Sequence, residues 1–158
     1  MTENGNRKEE IRPTTEGATG YMRLDAWRHA DDLAVRLFDV TRALPSDARW
    51  LSIQMIRAAV SAPANIAEGY GRASNKEFLQ HLAVAHGSLQ EVDYYIHFMG
   101  RTRLIEPSAC DNLKEQCRRT VRIVFGLMKA VRSDTHERSS QRRYLRDVHD
   151  AYATDETE

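Results

Sequence analysis

The chain has 158 residues, 23 basic and 23 acidic side chains, 41% hydrophobic residues and 8% aromatic. That length fits a single domain, and a formal net charge of zero excludes the extreme basicity of a dedicated nucleic-acid coat. No segment approaches the roughly 20 apolar residues that cross a bilayer.

The neutrality is a sum of unlike parts, with −1 over residues 1–20, +4 over 21–132 and −3 over 133–158. No apolar run follows the charged residues of the N-terminus, so no signal peptide is expected and the cytoplasm is the expected compartment. Residues 1–20 mix Asn, Gly, Thr, Glu and Pro13 without periodicity and read as a disordered leader.

A first helix is expected from about Leu24 to Ala43. Trp27, Ala30, Ala34 and Leu37 recur at helical spacing, and Leu33 and Phe38 widen the stripe. Pro45 and Ser46-Asp47 break it and start a second helix, from about Asp47 to Tyr70. At 100° per residue, Leu51, Met55, Ala59, Ala62, Ile66 and Tyr70 fall on one broad face. Gln54, Arg57, Ser61, Asn65, Glu68 and Arg72 form a polar ridge opposite, within an arc of roughly 80°. The small residues between 58 and 67 invite a close helix neighbour, Pro63 is expected to kink or distort the helix, and Gly69 and Gly71 are expected to end it in left-handed conformations.

The third helix opens on a capping box, Ser74-Asn-Lys-Glu77. Phe78, Leu82, Ala85, Leu89, Val92, Ile96 and Met99 then alternate by four and three, the seam of a packed bundle, and Gly100 closes it. A fourth helix starts at Pro107-Ser108 and keeps the same spacing through Leu113, Cys117, Thr120, Val124, Leu127 and Val131. From Ser133 onward that stripe is lost; Arg138 to Asp150 could form a short polar helix but supplies no core, and residues 133–158 read as a charged, mobile tail. Four helices with short connections predict an all-α, up-down-up-down antiparallel four-helix bundle over residues 21–132, between disordered N- and C-terminal tails.

The chemistry-bearing patterns of enzymes are not found in the sequence. A di-iron bundle carries two Glu-x-x-His motifs, and this chain has none; Glu77 and His81 are four apart. Glu68-Gly-Tyr-Gly71 lacks the Lys-Ser/Thr and the preceding strand of a phosphate loop. Cys110 and Cys117, two helical turns and about 10 Å apart, cannot form a bridge. No catalytic residue, cofactor, metal or small-molecule substrate is expected. A small-molecule enzyme would use Glu68, Asn65 and Arg57 in an intersubunit pocket, and would require Glu68 to be buried there with a raised pKa.

Three features remain. The ridge Gln54, Arg57, Ser61, Asn65, Glu68 and Arg72 is either a solvated face or a contact with another helix or subunit. Arg118, Arg122, Lys129 and Arg132 fall near one line of the fourth helix, where they could meet the phosphates of RNA or DNA in a salt-sensitive, sequence-poor way. Trp50, Tyr70, Tyr94 and Tyr95 exceed what one slim bundle interior can hold, and such aromatics serve as interface anchors. A homo-oligomer is the expectation.

The span from about Leu24 to Val131 resembles the four-helix-bundle family known as 23S ribosomal RNA intervening-sequence proteins. The resemblance rests on Trp27, Leu44-Pro45, Gln54, Arg57-Ala-Ala-Val-Ser61, Asn65-Ile-Ala-Glu-Gly69, Arg72, Phe78-Leu79, Ala85, Gly87-Ser88-Leu89 and Glu91, in order and at the family's intervals. It implies a bacterial bundle that assembles as a ring-like homopentamer, with no established reaction. A more distant likeness, to the accessory proteins of diversity-generating retroelements, supplies the alternative of a bundle that docks a reverse transcriptase and nucleic acid. The ridge then stands as the expected oligomer interface, the arginine line as the expected nucleic-acid contact, and RNA as the expected partner.

Overall fold

The computed structural model describes residues 20–153, with side chains placed for 20–135 and for Ser140. The expected leader thus lies outside the described residues, apart from Gly20. A short 3-10 turn at Gly20–Arg23 leads into α1 (Asp25–Arg42); a second at Ser46–Ala48 leads into α2 (Arg49–Tyr70), followed by α3 (Asn75–Arg101) and α4 (Pro107–Ala153). Among the described residues there is no strand. The four helices pack in a closed circuit, α1 on α2, α2 on α3, α3 on α4 and α4 on α1.

Residue pairs across three of the four seams give the direction. Ser61 meets Ser88 while Asn65 meets His81, and Cys117 meets Leu89 while Cys110 meets Ile96. Arg36 meets Gln116, whereas the earlier His29 meets the later Thr120. As numbers rise along one helix they fall along its neighbour, so adjacent helices are antiparallel. We call "top" the end that holds the α2–α3 turn and "base" the end that holds the other two connections.

The apolar stripes form the core. Leu33, Leu37, Leu51, Met55, Ile66, Leu82, Leu89, Val92, Ile96, Met99, Leu113 and Val124 are all fully enclosed. Burying a side chain of that size is worth about 1.5–3 kcal/mol, so these twelve carry the fold. Cys117 is also enclosed, and burial pushes its thiol up to about 12. A thiolate is not accessible there, and the residue acts as a small hydrophobe. Half of the capping box forms: the Glu77 amide donates to the Ser74 hydroxyl oxygen at 3.2 Å, while the Glu77 carboxylate accepts from that hydroxyl at 2.7 Å instead of from the Ser74 amide.

Several expectations need correction. Phe38 does not enter the core but stands exposed, lining a groove on the outer side of α1 and α2, and Tyr70 is half exposed, edge-on to Phe78. Gly71 has φ −78°, and neither it nor Gly69 is left-handed. Gly69 is required for another reason: a Cβ there would lie 2.6 Å from His81 Cβ and 2.9 Å from a Phe78 ring carbon. Gly100 likewise sits against Cys110 Sγ, 2.6 Å from where its own Cβ would be.

The left-handed residue ending α3 is Arg103, with φ 58°. The amide of Leu104 reaches back to the Met99 carbonyl at 2.9 Å and that of Arg103 to the Gly100 carbonyl at 3.2 Å. This is the double bond pattern of a Schellman stop, with arginine where glycine is favoured. Finally, α4 does not end near residue 132. Asn75, at the start of α3, donates to Asp134 at 2.6 Å, and the helical backbone continues to Ala153.

Candidate functional site

The ridge of α2 lies along its seam with α3. Ser88 donates to the Ser61 hydroxyl at 2.8 Å. The Asn65 amide nitrogen donates to the Ser61 carbonyl at 2.8 Å and is 3.2 Å from its hydroxyl. Asn65 Oδ1 lies 3.3 Å from His81 Nδ1, and Arg72 Nε donates to His81 Nε2 at 3.3 Å. Arg72 also pairs with Glu68, whose other oxygen is 3.9 Å from His81 Nδ1. With Arg72 donating to Nε2, the neutral imidazole places its proton on Nδ1, facing the two oxygens.

Four of the six ridge residues are therefore joined to α3 within one chain: Ser61, Asn65, Glu68 and Arg72. Gln54 and Arg57 are exposed nearer the base. His81, a histidine at the edge of the α3 seam, and Ser88, one of the residues that carry the family resemblance, complete the network. Their signal was present: His81, Val84, Ser88, Glu91 and Tyr95 follow a three-four spacing that matches the ridge in the opposite direction.

This network holds but does not activate. The hydrogen bonds run from Arg72 through His81 and Asn65 to Ser61, so the Ser61 oxygen receives protons from two sides. A serine nucleophile needs a base that accepts its proton, and an amide nitrogen cannot serve. Within one chain Glu68 is 54% exposed and paired with Arg72. Among the described residues no group of three or more His, Cys, Asp or Glu side chains could hold a metal ion. Nor is any helix there long and apolar enough to cross a membrane.

Toward the base, the same α2–α3 face turns aromatic. Trp50 packs edge-on against Phe98 at 5.9 Å, Phe98 lies 6.4 Å from Tyr94, and Tyr94 is 5.7 Å from Tyr95. Trp50 and Tyr94 are 56% and 58% exposed. Tyr95 donates to Glu91 at 2.8 Å, a bond that, with burial, raises its phenol above the usual range. Arg57 faces this tyrosine closely enough to oppose the shift.

The arginine line of α4 is exposed along its length, but it is not a run of free charge. Arg122 bonds Glu115 at 3.3 Å, and Lys129 sits over the Phe125 ring at 4.8 Å. Arg118 and Arg122 flank a recess of 230 Å³ with Gln90 and Asp93 of α3.

The comparisons with known proteins agree on the architecture. The family model described as 23S rRNA-intervening sequence protein matches residues 22–126. A crystal structure of a protein with unknown function from the S23 ribosomal protein family of Bacteroides thetaiotaomicron superposes with a TM-score of 0.62 at 21% identity. The match covers 66% of this chain and 95% of that one, a likeness of fold. No curated protein matches the chain. The matched span takes in the whole of α1, α2 and α3, the ridge and the aromatic patch, and the chain belongs to the 23S rRNA-intervening sequence protein family.

Proposed function

We propose that this protein is a self-associating bundle that binds rather than catalyses, joined to further copies through the base of its α2–α3 face. The observation that carries this reading is the exposed aromatic patch of Trp50 and Tyr94, backed by Phe98, with Arg57 facing the neighbouring Tyr95. Large aromatics with a polar edge are the residues that anchor interfaces, and few others bury as much area per side chain. The hydrogen-bonded ridge beside the patch fixes α2 against α3, so the patch presents a rigid surface. A pentamer is the assembly that the family resemblance implies.

The partner of the assembled bundle is a structured RNA, met by Arg118, Arg122, Lys129 and Arg132. Their exposure along one side of α4 supports this, and a ring of copies would multiply a modest set of phosphate contacts. The test is a titration of the purified protein against a structured ribosomal RNA fragment at low and near-physiological salt, with mass read by light scattering in the same buffers. If the four side chains sit on phosphates, log affinity falls linearly with log salt at a slope of roughly −3 per copy engaged. An oligomer that binds no RNA at low salt would contradict the RNA half, leaving a protein-binding scaffold. A single-copy mass would contradict the self-association half.

A further inference from the structure

The outer side of α1 and α2 is a second, separate surface. Two clefts of 520 and 460 Å³ lie end to end along the helix pair and share Phe38 and Ile56. Val35, Phe38, Ile53 and Val60 are all about half exposed along this groove. Near the top its wall includes Asp31, which makes no hydrogen bond or ion pair among the described residues and whose carboxyl is raised by burial and by neighbouring Asp32. Toward the base its wall carries Arg42, Arg49 and Arg57. The groove is thus apolar along its floor, acidic at one end and basic at the other.

The chain also holds a helix of matching design. Beyond Asp134, which pairs with the first residue of α3, α4 continues for 19 residues to Ala153, a reach of about 28 Å at 1.5 Å per residue. The groove wall from Trp27 to Arg42 spans 15 residues of α1, about 23 Å on the same measure. In this extension Tyr144, Leu145, Val148, Ala151 and Tyr152 recur at three-four spacing, within an arc of about 120° at 100° per residue. Residues 136–146 carry four arginines against one glutamate, and residues 147–153 carry two aspartates, with one histidine in each stretch and no lysine or arginine in the second. The extension is therefore basic first and acidic second. A single amphipathic helix of this length is marginal by itself in water.

We propose that the α4 extension of one copy lies in the α1–α2 groove of a second copy of this chain, running from its top toward its base. That direction sets Arg138, Arg142, Arg143 and Arg146 at the end where Asp31 stands and Asp147 and Asp150 at the end of Arg42, Arg49 and Arg57. It is the opposite of the direction in which each bundle's own α4 runs. The two copies therefore meet top to top, and each gives its extension to the other under a twofold axis, the closed arrangement of an isologous exchange. Arg57 borders both this groove and the aromatic patch of the α2–α3 face; the other residues named for the two surfaces differ, so the exchange adds to whatever assembly that patch builds.

The experiment compares light-scattering masses of the full chain, a chain ending at Thr135, and two full-length variants, Val148→Asp and Val35→Asp. Val148 lies past the packed bundle and Val35 is exposed, so neither change threatens the core, and circular dichroism confirms the fold. All three altered proteins should show a twofold lower mass than the full chain. An unchanged mass for Val148→Asp or for the shortened chain overturns the exchange, as does a full chain with the mass of one copy. A Trp50→Ser/Tyr94→Ser variant reads the other surface. If it lowers the mass while Val148→Asp does not, only the exchange fails; if Val148→Asp alone lowers it, the aromatic interface fails and the exchange stands.

Discussion

Replacing Gly69 by alanine should destabilise the bundle, although the same change in an open helix does the reverse. Alanine is favoured over glycine inside a helix by about 1 kcal/mol, because glycine loses more backbone freedom on folding. At Gly69 the new methyl would lie 2.6 Å from His81 Cβ and 2.9 Å from a Phe78 ring carbon. Carbon atoms pack best at roughly 3.5–4.0 Å, so a gap of about 1 Å must open. The Phe78 ring can turn, but His81 Cβ is fixed by the α3 backbone, and α3 itself must retreat. Such overpacking typically costs about 1–3 kcal/mol.

Set against the propensity gain, a net loss of about 1 kcal/mol, at the middle of a range of about 0–2, is expected for Gly69→Ala. For a chain of this size a loss of about 1 kcal/mol lowers Tm by about 2–4 °C. Gly87 is the control, because a Cβ there meets nothing within 4 Å, so Gly87→Ala should gain about 0.5–1 kcal/mol. Thermal melts followed by far-ultraviolet circular dichroism would show the opposite signs. A Gly69→Ala protein that melts at or above the parent temperature would refute the close α2–α3 approach.

Arg103, held at φ 58°, should accept glycine with a gain of about 0.5–1 kcal/mol, the left-handed penalty offset by glycine's greater freedom when unfolded; denaturant midpoints would show it. Ser74→Ala removes the oxygen that accepts the Glu77 amide and should cost about 1 kcal/mol on the same assay. Leu89→Ala, at a fully enclosed position, should cost about 2–5 kcal/mol. The Cys117 thiol, raised to about 12 from 9.0, keeps its proton when folded and loses it near 9 when unfolded. The folded state then binds more protons between those values, so stability falls as pH rises through that window, by on the order of 1 kcal/mol per unit. A Cys117→Val variant should lack this component of the slope in chemical denaturation at pH 9 and 11.

The helices were legible because burial imposes a period on the sequence. Leu82, Ala85, Leu89, Val92, Ile96 and Met99 could be read as one seam, and all six are enclosed. Periodicity reports which face is apolar, however, and not how near the neighbouring helix comes. Gly69 could be read as a stop signal, while its actual role depends on where His81 Cβ arrives from another helix. Phe38 shows the same limit: its angle places it beside the stripe, but whether anything covers it depends on the outer spacing of α1 and α2. The ridge was visible on α2, yet its partners His81 and Ser88 required the antiparallel register that pairs 61 with 88 and 65 with 81. Helix α4 outran its expected end because loss of the bundle stripe marks where packing stops, whereas the backbone can remain helical beyond it.

The central claim is that copies of this bundle join through the aromatic base of the α2–α3 face. The most direct test is the solution mass of the chain beside that of Trp50→Ser/Tyr94→Ser, both at the same concentration. Both side chains are more than half exposed, so the double change leaves the core intact. The account predicts a multimeric parent and a lower mass for the variant at unchanged helicity. Equal masses for the two proteins would contradict it.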